Sequence, residues 1–140
     1  MATQGDRIEF KRGETAQILS YSIVGSSYWG NETNQSAWVP IDITNYTVIL
    51  IIKLSVADAD DLSVIVKENA PGAHSNPTNG QTLFTLSTTD TLKFPIARSA
   101  EQYNFEIWLQ PGDGTSYPTQ TGTLTVLAGL AQNITTITPT

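Results

Sequence analysis

"YNFEIWLQPGDGTSYPTQTGTLTV", residues 103–126, decides the fold, because it reads as two strands and the turn between them. Tyr103, Phe105, Ile107 and Leu109 alternate with Asn104, Glu106, Trp108 and Gln110, the period-2 pattern of a strand with one face on a core. The first set should line that core. Pro111-Gly112-Asp113-Gly114 supplies a fixed φ and residues tolerant of positive φ, as a chain reversal requires. The return strand then places Leu124 and Val126 inward and Thr121, Thr123 and Thr125 outward.

The same alternation recurs upstream, and amphipathic helical spacing is nearly absent. Further strands are expected over residues 7–11, 15–21, 46–54, 62–67 and 81–86, separated by clusters of Gly, Pro, Asn and Asp. About seven short strands in one chain of this length predict an all-β, immunoglobulin-like two-sheet antiparallel β-sandwich, with a small barrel as the other solution. "VILII", residues 48–52, is apolar on both faces, which fits a central strand covered on two sides, or covered on one and meeting a partner on the other. The 140 residues suffice for one hydrophobic core, so residues 1–130 read as a single domain and 131–140 as a C-terminal tail or assembly arm. Two segments break the pattern: "VGSSYWGNETNQSAWVP", residues 24–40, and "ENAPGAHSNPTNGQ", residues 68–81. Loops of this length are commonly functional or disordered.

Composition removes several functions. Seven Lys and Arg against thirteen Asp and Glu give a net charge of −6, so a phosphate backbone is repelled, and Lys11-Arg12 is too small a basic cluster to offset that. No nucleic-acid partner is expected. Charged residues make up 14% of the chain, below the roughly 25% usual for soluble domains, and Thr, Ser, Asn and Gln fill the polar positions. Such a surface suits close contact with neighbours. Without cysteine there is neither a disulfide framework nor a thiolate metal site. "MATQGDRIEF" has no apolar signal-peptide core, and the longest apolar run is broken by Lys53, so no membrane span is expected. The N-x-S/T matches at Asn31, Asn34, Asn45 and Asn133 read as chance in a chain rich in Thr and Asn.

Catalytic motifs are sparse. His74 is the only histidine, and no G-x-S-x-G surrounds any serine, so a Ser-His-acid site is not indicated and His74 reads as a solvated loop residue. One His and no Cys cannot form the usual zinc sites. Asp58, Asp60 and Asp61 offer carboxylate oxygens for a hard cation, but lack the Gly and distal Glu of an EF-hand loop and read as an acidic turn. Glu106 could join a carboxylate pair of the glycosidase kind, although no stacking groove accompanies it. The glycines of "PGDG" precede no helix that could hold a phosphate. No enzyme, metal or cofactor is therefore expected. The aromatic residues say more: Trp108 falls on the polar face of its strand, and Tyr28, Trp29 and Trp38 lie in the 24–40 loop. Exposed Trp and Tyr are enriched at protein interfaces and in carbohydrate-binding loops, while a loop folded over one end of the sandwich would bury its own tryptophans.

Several phrases together resemble a known family. "FKRGET" at 10–15, "VPIDITNYTVILIIK" at 39–53, "GQTLFTLSTTDT" at 80–91, "YNFEIWLQPGDG" at 103–114 and "GTLTVL" at 122–127 are similar to the immunoglobulin-like β-sandwich domains of tailed-phage virion proteins, notably the N-terminal domains of baseplate upper proteins and related tail, neck and fibre-attachment components. The family pattern has Asp-Leu-Thr-Gly where this chain has Asp42-Ile43-Thr44-Asn45, and Asn tolerates the left-handed conformation that Gly would adopt, so the departure is mild. The 24–40 loop is longer than the pattern suggests. The resemblance implies a non-enzymatic structural protein of the virion, made in the bacterial host cytoplasm, that docks onto other virion structural proteins as a homo-oligomer. Its contacts would come from Tyr28, Trp29, Trp38 and Trp108, and from Ile134 and Ile137 of the tail. A capsid decoration or cement protein is the alternative within that class. From another class, a carbohydrate-binding module would stack sugar on Tyr28, Trp29 and Trp38.

Overall fold

The computed structural model describes residues 8–21, 23–24, 39–55, 57, 63–95 and 100–129. Strands β1 (Ile8–Lys11), β2 (Ala16–Tyr21), β5 (Thr47–Lys53), β6 (Ile65–Asn69), β7 (Gln81–Leu86), β8 (Glu101–Gln110) and β9 (Tyr117–Leu127) match the seven expected from alternation. The short strands β3 (Ile23–Val24) and β4 (Val39–Pro40) pair antiparallel, Ile23 with Pro40 and Val24 with Val39, and so tie together the two ends of the 24–40 segment.

Besides the β3-β4 pair, the described residues form two sheets, one of five strands in the order β1-β9-β8-β5-β6 and one of two, β2-β7. Their inner residues share one core: Val48, Leu50 and Ile52 of β5, Tyr103, Phe105, Ile107 and Leu109 of β8, and Leu124 and Val126 of β9 meet Ile18 of β2 and Phe84 and Leu86 of β7. The fold is thus the immunoglobulin-like two-sheet sandwich, and the barrel reading falls away because no strand pairing among the described residues joins the two sheets. Each wholly buried aliphatic or aromatic side chain in such a core contributes about 1.5–3 kcal/mol relative to exposure.

One pairing departs from the antiparallel rule: β1 runs parallel to β9, with Phe10 beside Val126. A parallel pair cannot be joined by a hairpin. Here nearly the whole domain separates the two strands, because after β1 the chain crosses directly into β2 of the other sheet. That crossing is built by the "KRGE" turn. Glu14 accepts from the Lys11 backbone N–H through Oε1 at 2.6 Å, and Gly13 has φ 95°, a value that glycine adopts freely. Arg12 reaches 80 residues along the chain, donating from Nε to the Phe94 carbonyl at 2.7 Å and from its guanidinium to the Leu92 carbonyl at 3.0 Å.

Those carbonyls follow a short helix that alternation did not reveal, α1 (Thr88–Thr91). Ser87 and Asp90 form a reciprocal capping box: the Asp90 N–H donates to Ser87 Oγ and the Ser87 N–H to Asp90 Oδ2. Four residues carry no helical period, so only the Ser-x-x-Asp spacing marks it. Below it, Phe94 is fully buried and meets Phe10 and Tyr103 edge-on, with ring centroids 5.6 and 4.8 Å away.

The turn at Asp42 does not call on the left-handed tolerance of Asn45. No non-glycine among the described residues has positive φ, so Asn45 does not take the left-handed conformation. Instead Asp42 Oδ1 accepts from the Thr44 N–H and hydroxyl, and the Tyr46 N–H donates to the Ile43 carbonyl, closing a turn that needs no positive φ.

Candidate functional site

Cross-strand register places the outward-facing residues of the larger sheet in rows. One row runs Glu68, Ile49, Trp108, Pro118 across β6, β5, β8 and β9; the next runs Val66, Ile51, Glu106, Thr121. Lys53 and Asn104 follow in a third. On the β5 segment Val48, Leu50 and Ile52 are buried while Ile49 and Ile51 are only half-buried, so the apolar character of "VILII" on both faces is real: one face fills the core and the other reaches the surface. Val66, beside Ile51, is 60% exposed. Ile49, Ile51, Val66 and Trp108 form an apolar cluster with Glu106 set among them and Glu68 and Lys53 at its margin, next to a shallow hollow bordered by Ile51, Lys53, Asn104 and Glu106.

Four side-chain donors on this face are engaged within the chain. Trp108 Nε1 donates to Glu106 Oε1 at 3.3 Å, two residues back on the same face, which lays the indole along the strand. Asn104 donates to the Leu54 carbonyl at 3.0 Å, and Gln110 to Ser116 Oγ at 3.3 Å. The Thr121 hydroxyl donates to the Phe105 carbonyl at 3.2 Å, leaving its methyl to face outward. Covering a polar group costs little when its hydrogen bond is already made and much when it is not. This face can therefore be covered by an apolar surface without stranding those donors.

Opposite Ile107 and Trp108 of β8, β9 carries a bulge: Ile107 pairs with Gln120 and Trp108 with Pro118, leaving Thr119 unmatched. Its hydroxyl returns to the Ile107 carbonyl at 3.2 Å. The extra residue lies on β9, where Thr119 and Gln120 are both buried between Pro118 and Thr121, while alternation on β8 is unbroken through Trp108.

His74 is not a solvated loop residue. Its Nε2 lies 2.7 Å from the Tyr46 carbonyl, which can only accept, so Nε2 carries a proton; in the neutral ring Nδ1 then accepts from Thr82 Oγ1 at 3.0 Å. Asn69 in turn donates to Thr82 Oγ1 at 2.7 Å and to the Leu83 carbonyl at 3.0 Å. The ring thus fastens the 68–81 segment across both sheets. That segment is further ordered by a 3-10 turn, Pro77–Asn79, whose Pro77 carbonyl accepts from the Ile43 N–H at 2.9 Å.

A second bridge between the sheets is ionic. Lys67 Nζ lies 2.7 Å from Asp90 Oδ2, with Lys93 at 3.7 Å from Oδ1. Burial of Asp90 on its own would raise its pKa, but the hydrogen bonds from Lys67 and Ser87 together with the Lys67 charge outweigh it and hold the carboxyl below its ordinary range. Asp42 and Asp113 are also lowered, each by hydrogen bonds from the threonine two residues on.

Of the residues singled out from sequence, Trp108 lies on the outer face of the larger sheet and Glu106 beside it. Tyr28, Trp29, Trp38, Ile134, Ile137 and the Asp58, Asp60 and Asp61 cluster lie outside the described residues. Among the described residues no three His, Cys, Asp or Glu side chains come together as metal ligands. Sequence reading missed Val66, Ile49 and Ile51 as named members of the face, although the two-sided "VILII" pattern signalled them.

No protein-family model matches the chain, and no curated protein is similar enough to match it.

Proposed function

We propose that this domain is a structural protein of a tailed-phage virion, which works without catalysis by docking onto neighbouring subunits of the tail, baseplate, neck or fibre attachment. The observation that carries the reading is the outer face of the larger sheet, with the apolar side chains Ile49, Ile51, Val66 and Trp108 together and the donors of Trp108 and Thr121 bonded within the chain. A face of this kind suits dry protein contact repeated by symmetry. The likeness of "FKRGET" and "YNFEIWLQPGDG" to virion sandwich domains supports the same reading. In those phrases Arg12 serves to clamp the helix end at Leu92 and Phe94, and Gly112 and Gly114, at φ 97° and 91°, serve the β8–β9 turn, so both motifs act as scaffold. The test is labelling of purified phage particles with antibody raised against the domain. Signal at the tail, neck or baseplate is expected; signal over the head would assign the decoration role, and particles free of the antigen would overturn the reading.

A further inference from the structure

Resting on the docking reading, we infer that the outer face of the larger sheet takes a basic, apolar segment of a different protein, whose arginine lies on the Trp108 indole and pairs with the Glu106 carboxylate. The charges on the face select that partner. Glu106 and Glu68 stand there against Lys53, and Lys53 already has a partner within the chain. No ion pair among the described residues reaches either glutamate. The charge left unpaired is therefore negative, and a second copy laid on this face would bring two more carboxylates rather than a free cation.

Glu106 sets the requirement most sharply. It is half-buried, beside Ile51 in its row and two residues before Trp108 on the same face of β8. Its Oε1 accepts from Trp108 Nε1 at 3.3 Å, and no other hydrogen bond or ion pair reaches the carboxylate. A wholly apolar cover would take this charge out of water with one neutral hydrogen bond, which is costly; a cation carried by the cover removes that cost. Arginine meets both neighbours at once, because its planar guanidinium stacks on an indole and donates paired N–H groups to a carboxylate. Ile49, Ile51 and Val66 then receive the apolar side chains that flank it, and Glu68 adds to the same field from the margin. The footprint suits a segment rather than a whole domain. Three rows and four strands span roughly 14 Å in each direction, which a single helix of about 10–12 Å diameter covers.

The test selects peptides from a random library on the full chain and keeps those that lose binding to Ile51→Gln, a neutral change on this face. The kept sequences are expected to carry arginine among apolar residues. Glu106→Gln retains an oxygen for Trp108 Nε1 and removes only the charge, so it should weaken such a peptide at least about tenfold by calorimetric titration, with the melting curve unchanged. Replacing the peptide's arginine with glutamine should weaken binding to wild type by a similar factor and binding to Glu106→Gln little further, because both changes delete one contact. Kept peptides without a basic residue, additive effects of the two substitutions, or no peptide sensitive to Ile51→Gln would overturn the inference. If arginine peptides behave as expected but particles never contain the chain, the inference stands and the docking reading fails. If particles carry Glu106→Gln at the wild-type level yet exclude Ile49→Lys, the docking reading survives with an uncharged occupant and the inference fails.

Discussion

Replacing Asp90 with alanine removes one carboxylate that performs two tasks. It accepts the Ser87 N–H that opens α1, and it holds Lys67 of β6 against the end of β7, joining the free edge of the larger sheet to the smaller one. Loss of a capping interaction costs about 1 kcal/mol. The ion pair adds about 1–2 kcal/mol, less than a fully buried pair because the Lys67 side chain is 35% exposed and can rehydrate. The combined loss near neutral pH is about 2–3 kcal/mol, which for a domain of this size lowers Tm by about 6–9 °C. The pH dependence gives the sharper result. Asp90 titrates below the ordinary value of 3.8, so the folded state prefers the ionised carboxylate; its stabilisation is complete above that value and is lost as pH falls through the folded pKa. Urea melts of both proteins should therefore show the full difference above about pH 5, shrinking below about pH 4. A difference that stays constant down to about pH 3, or one under about 0.5 kcal/mol at neutrality, would refute this account of Asp90.

Three other substitutions probe the scaffold. His74→Ala leaves the Tyr46 carbonyl without its donor and frees the 68–81 segment from Thr82, and should cost about 1–2 kcal/mol in urea unfolding. Gly114→Ala meets nothing within 4 Å, so any loss reflects φ 91° alone; about 1–2 kcal/mol is expected, and a neutral result would mean the turn relaxes. Phe94→Leu removes edge contacts to both Phe10 and Tyr103 and should lower stability by about 1–3 kcal/mol, read by thermal denaturation.

How much of this was legible in the sequence follows from the range of each interaction. Alternation is a local signal, so β8 and residues 121–126 of β9 could be read residue by residue, including which of Phe105 or Glu106 turns inward, whereas the bulge that buries Thr119 and Gln120 breaks the period. The same holds for the two-sided "VILII" strand. The role of Arg12 was hidden because its acceptors, Leu92 and Phe94, lie some 80 positions away. His74 was hidden for the same reason, since its loop reads as solvated until Tyr46 and Thr82 are brought beside it. Helix α1 is too short to show a period, and its Ser87-Asp90 cap spacing is its only trace. The outer face needed register: only pairing puts Val66 next to Ile51 and Ile49 next to Trp108.

The central claim is that the outer face of the larger sheet is the contact surface of a virion subunit. Ile49→Lys tests it most directly, because Ile49 faces away from the core and the variant should retain the wild-type circular dichroism spectrum and melting curve to within a few degrees. Particles grown with only the Ile49→Lys chain should carry little or none of it when purified and quantified by mass spectrometry against an internal virion protein. A folded Ile49→Lys chain present in particles at the wild-type level would contradict the account.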